Sequence, residues 1–360
     1  MLVYNQHHQL SERTAISMSE ISKKAIIELS KKGSRLFRSG QFEAAEKVYL
    51  EAKAMDAENP YVLSGLGDVY RKLNRFVESG QQYDEVLKFD PNNIFALRGA
   101  GDARRGMKRP QEAIAYWLRY LEINPKDSHV MVRIADAYHK MNYIEQAIDF
   151  YEQSLRIRPY DPFALLGLGN VYYAQQDDEK ALDCFEKLMS KNSSHNVVLM
   201  TMMGNIYRRR KEFDRAMSLY ESALEIEPDN NFALFGMGDC YRGQLKMEKA
   251  VFWWDKILDQ EPDNQSLWTR VGDALVSLNQ LDEAIYHYNS SLKVGHDLYA
   301  VLGLARVQQH LGNTAKAIDL CEQALSVDTD NPRALDTLAT IYETAGEPEK
   351  ARQTRARIRN

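Results

Sequence analysis

The chain has 360 residues, with 46 Lys and Arg against 51 Asp and Glu, so its formal charge is −5 and it lacks the basic excess of a dedicated nucleic-acid binder. Apolar residues at 44% beside charged residues at 27% supply a core and exclude a disordered chain. Three cysteines, Cys184, Cys240 and Cys321, are too few and too far apart for a disulfide framework or a zinc site. No run reaches the roughly 18 apolar residues of a membrane span. The first 30 residues carry no apolar signal core. The expected location is therefore cytoplasmic.

In chain order, residues 1–16 are expected to form a disordered tail, and Ser17-Met18-Ser19-Glu20 fits a capping box that starts the first helix near residue 18. From about Ile26 a pattern repeats. Small residues fall at Gly33, Gly67, Gly101, Ala135, Gly169, Gly204, Gly238, Gly272, Ala305 and Ala339, in steps of 34, 34, 34, 34, 35, 34, 34, 33 and 34. A second small column, Ala45, Ser79, Ala113, Ala147, Ala181, Ala216, Ala250, Ala284, Ala317 and Ala351, takes the same nine steps in the same order. Two columns sharing one insertion and one deletion define one unit written ten times. The units lie near 26–59, 60–93, 94–127, 128–161, 162–196, 197–230, 231–264, 265–297, 298–331 and 332–360.

Each unit predicts a helix with a small residue where a partner approaches, a polar turn, and a second helix whose Ala is followed four residues later by a large side chain. That large residue is Tyr49, Tyr83, Trp117, Tyr151, Phe185, Tyr220, Trp254 or Tyr288. The i, i+4 spacing puts small and large residues on one face, so the large one can plug into the next unit. Pro91, Pro125, Pro159, Pro228 and Pro262 close many units. Ser79 stands where the second column otherwise has Ala. Ser193, His296 and Thr329 replace the closing Pro, and the two irregular steps fall at or next to the first two of these, where a changed stacking angle is expected.

This pattern of small and aromatic residues with a closing Pro at 34-residue spacing resembles the tetratricopeptide repeat. Leu165-Leu166-Gly167-Leu168-Gly169-Asn170-Val171-Tyr172 follows that motif closely. The resemblance covers about residues 26–360. It implies an all-α, right-handed superhelical solenoid of about ten helix–turn–helix repeats over residues 17–360, whose concave groove is built from the first helix of each unit. The last helix, with Arg355 in the plug column, reads as a polar cap that ends the array.

With Gly33 and its equivalents counted as position 8, the groove should be lined by positions 2, 5, 9 and 12, one stripe of a helix. Position 2 gives Tyr61, Phe95, His129, Phe163, Val198, Phe232, Ser266 and Tyr299; position 5 adds Arg98, Val132, Leu166, Phe235 and Leu302. Position 9 gives Asp68, Asp102, Asp136, Asn170, Asn205, Asp239 and Asp273. Position 12 gives Arg71, Arg105, His139, Tyr173, Arg208 and Arg242. Phe at every second repeat of an open face has no structural need and points to a partner site, unless position 2 tucks against the preceding repeat. Position 9 reads as a ladder of acceptors for a bound peptide backbone, with the arginines reaching acidic side chains. The plainer alternative is an i, i+3 Asp–Arg pair inside each helix. The Phe-Ala-Leu opening of repeats three, five and seven suggests a two-repeat superperiod.

The family's carboxylate clamp combines Lys and Asn of one repeat with Lys and Arg further on. No Lys-then-Asn pair lies on this face and Arg133 and Arg270 read as isolated, so chaperone tails of that kind are not expected partners. His129, Asp136 and His139 share the face, but their spacing is not that of metal ligands. No nucleotide, hydrolase or zinc-protease motif is present, so no metal, cofactor or catalysis is expected. The reading is a non-catalytic scaffold for a protein or peptide partner. Self-assembly and regulation of an enzyme are the alternatives.

Overall fold

The computed structural model describes residues 23–191 and 196–358; the tail, the capping box at 17–20 and the junction at Ser193 lie outside them. Among the described residues every regular element is a helix, and the chain is an all-α solenoid of helix–turn–helix repeats. It divides into two compact units, residues 1–192 and 193–360, five repeats each.

The first unit holds α1 (23–38), α2 (Phe42–Met55), α3 (Pro60–Lys72), α4 (Phe76–Phe89), α5 (Ile94–Gly106), α6 (Pro110–Ile123), α7 (Ser128–Lys140), α8 (Ile144–Ile157), α9 (Pro162–Ala174) and α10 (Asp178–Lys191). The second holds α11 (Val197–Arg209), α12 (Phe213–Ile226), α13 (Asn231–Gly243), α14 (Met247–Leu258), α15 (Gln265–Ser277), α16 (Leu281–Val294), α17 (Leu298–His310), α18 (Thr314–Val327), α19 (Pro332–Thr344) and α20 (Pro348–Arg357). Within each unit an odd-numbered helix packs on its own even-numbered partner, which packs in turn on the odd-numbered helix of the next repeat.

Local chemistry sets both ends of each helix pair. From α3 onward every odd-numbered helix opens on an Asn or Asp whose side chain accepts backbone N–H groups of the first turn, as Asn59 does from Tyr61 and Val62. Each such cap contributes about 1 kcal/mol. The even-numbered helices for which a cap is described have no side-chain cap. Their start is fixed by the turn before them, where one residue takes a left-handed φ: Gly40, Asn74, Lys108, Asn142, Gln176, Lys211, Leu245, Asn279, Gly312 and Gly346. The next residue's N–H returns to the carbonyl five positions back, as Arg75 does to Tyr70 at 2.8 Å. This is the Schellman closure. These ten residues follow the same steps of 34, 35 and 33 as the sequence columns, so the backbone carries the repeat register independently of side chains.

The core follows the small-and-large pairing. The plug residues are buried, as are the small residues at position 8 that face them. Tyr49 lies between Gly33 and Gly65, Tyr83 between Gly67 and Gly99, Tyr220 between Gly204 and Gly236, and Tyr288 between Gly272 and Gly303. At each of these glycines an added methyl would overlap the ring. Ser79 is accommodated because its buried hydroxyl donates to the carbonyl of Gly67 at 2.7 Å. Cys321 fills the plug slot of its repeat, and burial pushes its thiol and that of Cys240 up to about 12, and that of Cys184 to about 11.

The irregular step at residue 295 is held by Asp297. This residue accepts hydrogen bonds from Thr269 Oγ1 at 2.6 Å, Ser291 Oγ at 2.7 Å and the backbone N–H of Tyr299 and Ala300. Burial alone would raise its pKa, and these donors outweigh that and hold the carboxyl below its ordinary value. At α20 only Ala351 and Thr354 are buried, and Arg355 turns back to Glu343 and Asp336 of α19.

Candidate partner-binding face of each unit

Position 2 is open throughout. Tyr61 is 81% exposed, Phe95 62%, Phe163 67%, Phe232 74% and Tyr299 50%. His129, Val198 and Ser266 are exposed as well. The alternative that this column tucks against the preceding repeat is thereby overturned. Position 5 lies deeper. Val132 and Leu302 are buried, while Arg98, Leu166 and Phe235 are half-buried, and the Arg270 guanidinium sits 5.0 Å above the Phe235 ring.

Position 9 is not a free ladder of acceptors, because the chain itself uses those oxygens. Asp68, Asp136, Asn205 and Asp273 each accept the hydroxyl of their own repeat's plug, Tyr83, Tyr151, Tyr220 and Tyr288, at 2.9, 2.6, 2.8 and 2.7 Å. Desolvation, reinforced by these acidic partners, pushes the phenols of Tyr83, Tyr151 and Tyr288 far above their ordinary value. In repeat five the plug is Phe185, which has no hydroxyl, and the Asn170 side-chain oxygen is buried without a hydrogen-bond partner. Among the described position-9 residues it is the one buried side-chain oxygen without a partner.

Repeats three and seven have Trp plugs and a different solution. Asp102 and Asp239 are each 6% exposed and covered by arginines drawn from three successive repeats. Arg133 Nη1 lies 2.9 and 3.1 Å from the two Asp102 oxygens, Arg71 3.6 Å away and Arg105 3.9 Å away. Around Asp239 stand Arg208 in direct contact, Arg270 at 3.0 Å and Arg242 at 3.2 Å. Arg133 and Arg270 are therefore not isolated: each is the inner wall of an arginine cage. The i, i+3 pairing is one side of each cage, and the stronger contacts cross between repeats. The cages recur after four repeats, not two, which corrects the two-repeat superperiod for the charged residues.

The remaining candidates are dispersed. His129 Nε2 lies 2.7 Å from Arg158 Nη1, while His139 and Tyr173 are half-buried on their own helices. The sequence reading missed Arg71, Arg133 and Arg270 as a group, although a signal exists. All five Tyr plugs are followed in the next repeat by Gly at position 6 (Gly65, Gly99, Gly167, Gly236, Gly303), and both Trp plugs by Arg at that position. Tyr packs its ring tip against position 6, whereas Trp117 and Trp254 direct the indole Nε1 edge at Gly101 and Gly238 and leave room for a guanidinium.

Stacked helix pairs with a shared exposed face on their first helices define a helical-repeat protein whose architecture serves contact. Models of the tetratricopeptide repeat match residues 30–94, 199–234, 272–334 and 309–360, and a model described as TPR repeat matches 135–188. The chain belongs to the tetratricopeptide repeat family, which supports a protein-interaction role in general terms. No curated protein matches it. Among solved structures it is similar to the C-terminal part of a TPR repeat-containing protein from Cytophaga hutchinsonii, with a TM-score of 0.58 and 16% identity over 66% of this chain and 97% of that one. It is also similar to PilF of Pseudomonas aeruginosa, with a TM-score of 0.50 and 18% identity over 62% and 99%. At these identities the likeness is one of fold. No helix among the described residues is long and apolar enough to cross a membrane.

Proposed function

We propose that the chain is a non-catalytic interaction scaffold that holds a segment of a partner protein along the first-helix face of its repeats. The observation that carries this reading is the column of exposed aromatics at position 2, Tyr61, Phe95, Phe163, Phe232 and Tyr299, kept open to solvent in a fold that buries its other aromatic column. Large rings on a rigid helical face are the side chains that dominate binding energy when a partner desolvates them. Asn170 follows Phe163 by seven residues, about two turns, on the same helix, and its buried side-chain oxygen has no partner within the chain.

The test compares wild type with a triple variant, Phe163→Ala, Asn170→Ala and Phe232→Ala, in partner capture from native lysate, after matching helicity and melting. Partners retained by wild type are expected to be lost from the variant. Phe163→Ala or Phe232→Ala alone is expected to cost about 2 kcal/mol of binding. Survival of the same partners on the triple variant sinks the reading.

A further inference from the structure

We propose that each arginine cage is a docking point for the acidic side chains of a partner segment, so that one chain takes two such segments, one per unit. This rests on the first-helix face being the binding face and names the chemistry of what binds there.

The first observation is a local surplus of charge. In each cage three guanidiniums share one buried carboxylate. A single carboxylate neutralises one of them, so each cage is cationic in a chain whose formal charge is −5. Asp68 offsets part of this in the first unit through Arg71, but Arg98 on the same face adds to it. In the second unit the residue equivalent to Asp68 is the neutral Asn205. Arg133 registers the crowding: desolvation lowers its pKa, Asp102 opposes that, and Arg105, Arg98 and Arg71 lower it further. Buried guanidinium Nε atoms of Arg71 and Arg208, at equivalent positions, have no hydrogen-bond partner.

The second observation is recurrence. Arg71 and Arg208, Phe95 and Phe232, Asp102 and Asp239, Arg105 and Arg242, and Arg133 and Arg270 are each separated by 137 residues. A cage kept only for stacking would be equally useful at any repeat junction. The buried aspartate of each of these two stands on a helix that opens with an exposed Phe, Phe95 or Phe232.

The third observation is access. Arg105 and Arg242 hold their aspartates most loosely or at the rim, and both are about half exposed. Arg242 and Arg270 line an 820 Å³ cleft with Ser266 and Tyr299. Its carboxylates are already occupied, Asp273 by Tyr288 and Arg306, and Asp297 by Thr269 and Ser291. The cations facing this cleft are thus the groups left to attract a ligand. Small cationic points flanked by an aromatic ring match a peptide in which Asp or Glu alternates with apolar side chains. A nucleic acid, with a charge on every nucleotide, would meet the carboxylates of Asp68 and Asp273 as well.

The experiment uses the full chain and three synthetic peptides with identical Phe spacing, carrying Glu, Gln or Lys at the other positions, read by calorimetry. The Glu peptide is expected to bind about tenfold or more tighter than the Gln peptide and to weaken several-fold as salt is raised to 0.5 M, because exposed charges are screened. The expected stoichiometry is two for wild type, one for Arg105→Glu or Arg242→Glu, and none for the double variant. Arg105→Gln and Arg242→Gln, checked for wild-type helicity, guard against loss of folding. Equal binding of the three peptides overturns the acidic assignment while leaving the binding face in place. Binding untouched by the Arg substitutions, a single site in wild type, or no binding of the Glu peptide each overturns it. Tighter binding of a 15-nucleotide oligothymidylate than of the Glu peptide also overturns it and points to nucleic acid.

Discussion

Repeats seven and eight carry an aspartate at the same turn of the same helix, yet Asp239 and Asp273 live differently. Asp239 is buried under Arg208, Arg242 and Arg270, whereas Asp273 is half exposed and takes the hydroxyl of Tyr288. Repeats three and two repeat the contrast with Asp102 and Asp68. The difference begins in the second helix. A Tyr plug gives its own repeat's carboxylate a hydrogen bond, and one arginine, Arg71 for Asp68 or Arg306 for Asp273, balances its charge. A Trp plug cannot reach it, and the carboxylate is satisfied only by cations recruited from the repeats before and after, which leaves charge over. One aromatic exchange in the core thus decides which repeats present a cationic surface.

The contrast is broken most strongly at the buried carboxylates. Asp239→Ala leaves three guanidiniums around an empty centre and is expected to cost about 3 kcal/mol, whereas Asp273→Ala, which loses the hydroxyl of Tyr288 and a half-exposed ion pair with Arg306, is expected to cost about 1 kcal/mol. Urea midpoints of the two variants compare them, and equal losses would show that the plug does not set the role of position 9. A smaller effect is expected at Asp297. Its folded pKa lies below the unfolded value of about 3.9, so its contribution is present above that pH and is lost as pH falls through the folded value. The gap in urea midpoint between wild type and Asp297→Asn should therefore narrow between pH 5 and pH 3. Smaller again, Leu245 holds a left-handed φ of 60° with an exposed side chain, and Leu245→Gly is expected to raise stability by about 0.5 kcal/mol, read as a higher midpoint. Smallest is the thiol chemistry. Burial raises the pKa values of Cys184, Cys240 and Cys321, so the native protein at pH 8 should resist a thiol reagent that labels all three in urea.

Much of the fold is legible in the chain itself. The period, its one insertion and one deletion, the Asn and Asp caps, the Gly and Ala facing each plug, and the exposed Phe of position 2 are local features. Each is fixed by backbone geometry or by the size of a side chain within one repeat. Gly40, Asn74 and Asn142 announce their left-handed turns by composition; Lys108, Lys211 and Leu245 do not, and occupy the same turn because the helices on either side dictate it.

The partners of position 9 were not legible by the same means. Asp102, read as an acceptor facing a ligand, is covered by Arg133 from 31 residues further on and by Arg71 from 31 residues before. Those contacts exist only once successive helix pairs are stacked at a definite angle. The coincidence of a Trp plug with Arg at position 6 of the next repeat is written in the sequence, but its meaning depends on where the indole edge points. The sequence by itself therefore determined the repeat, its register and its exposed aromatic column, because these follow from periodicity and side-chain volume. Only the tertiary structure decided which carboxylates are consumed and which cations remain over, because that depends on contacts between residues of neighbouring repeats about 30 positions apart.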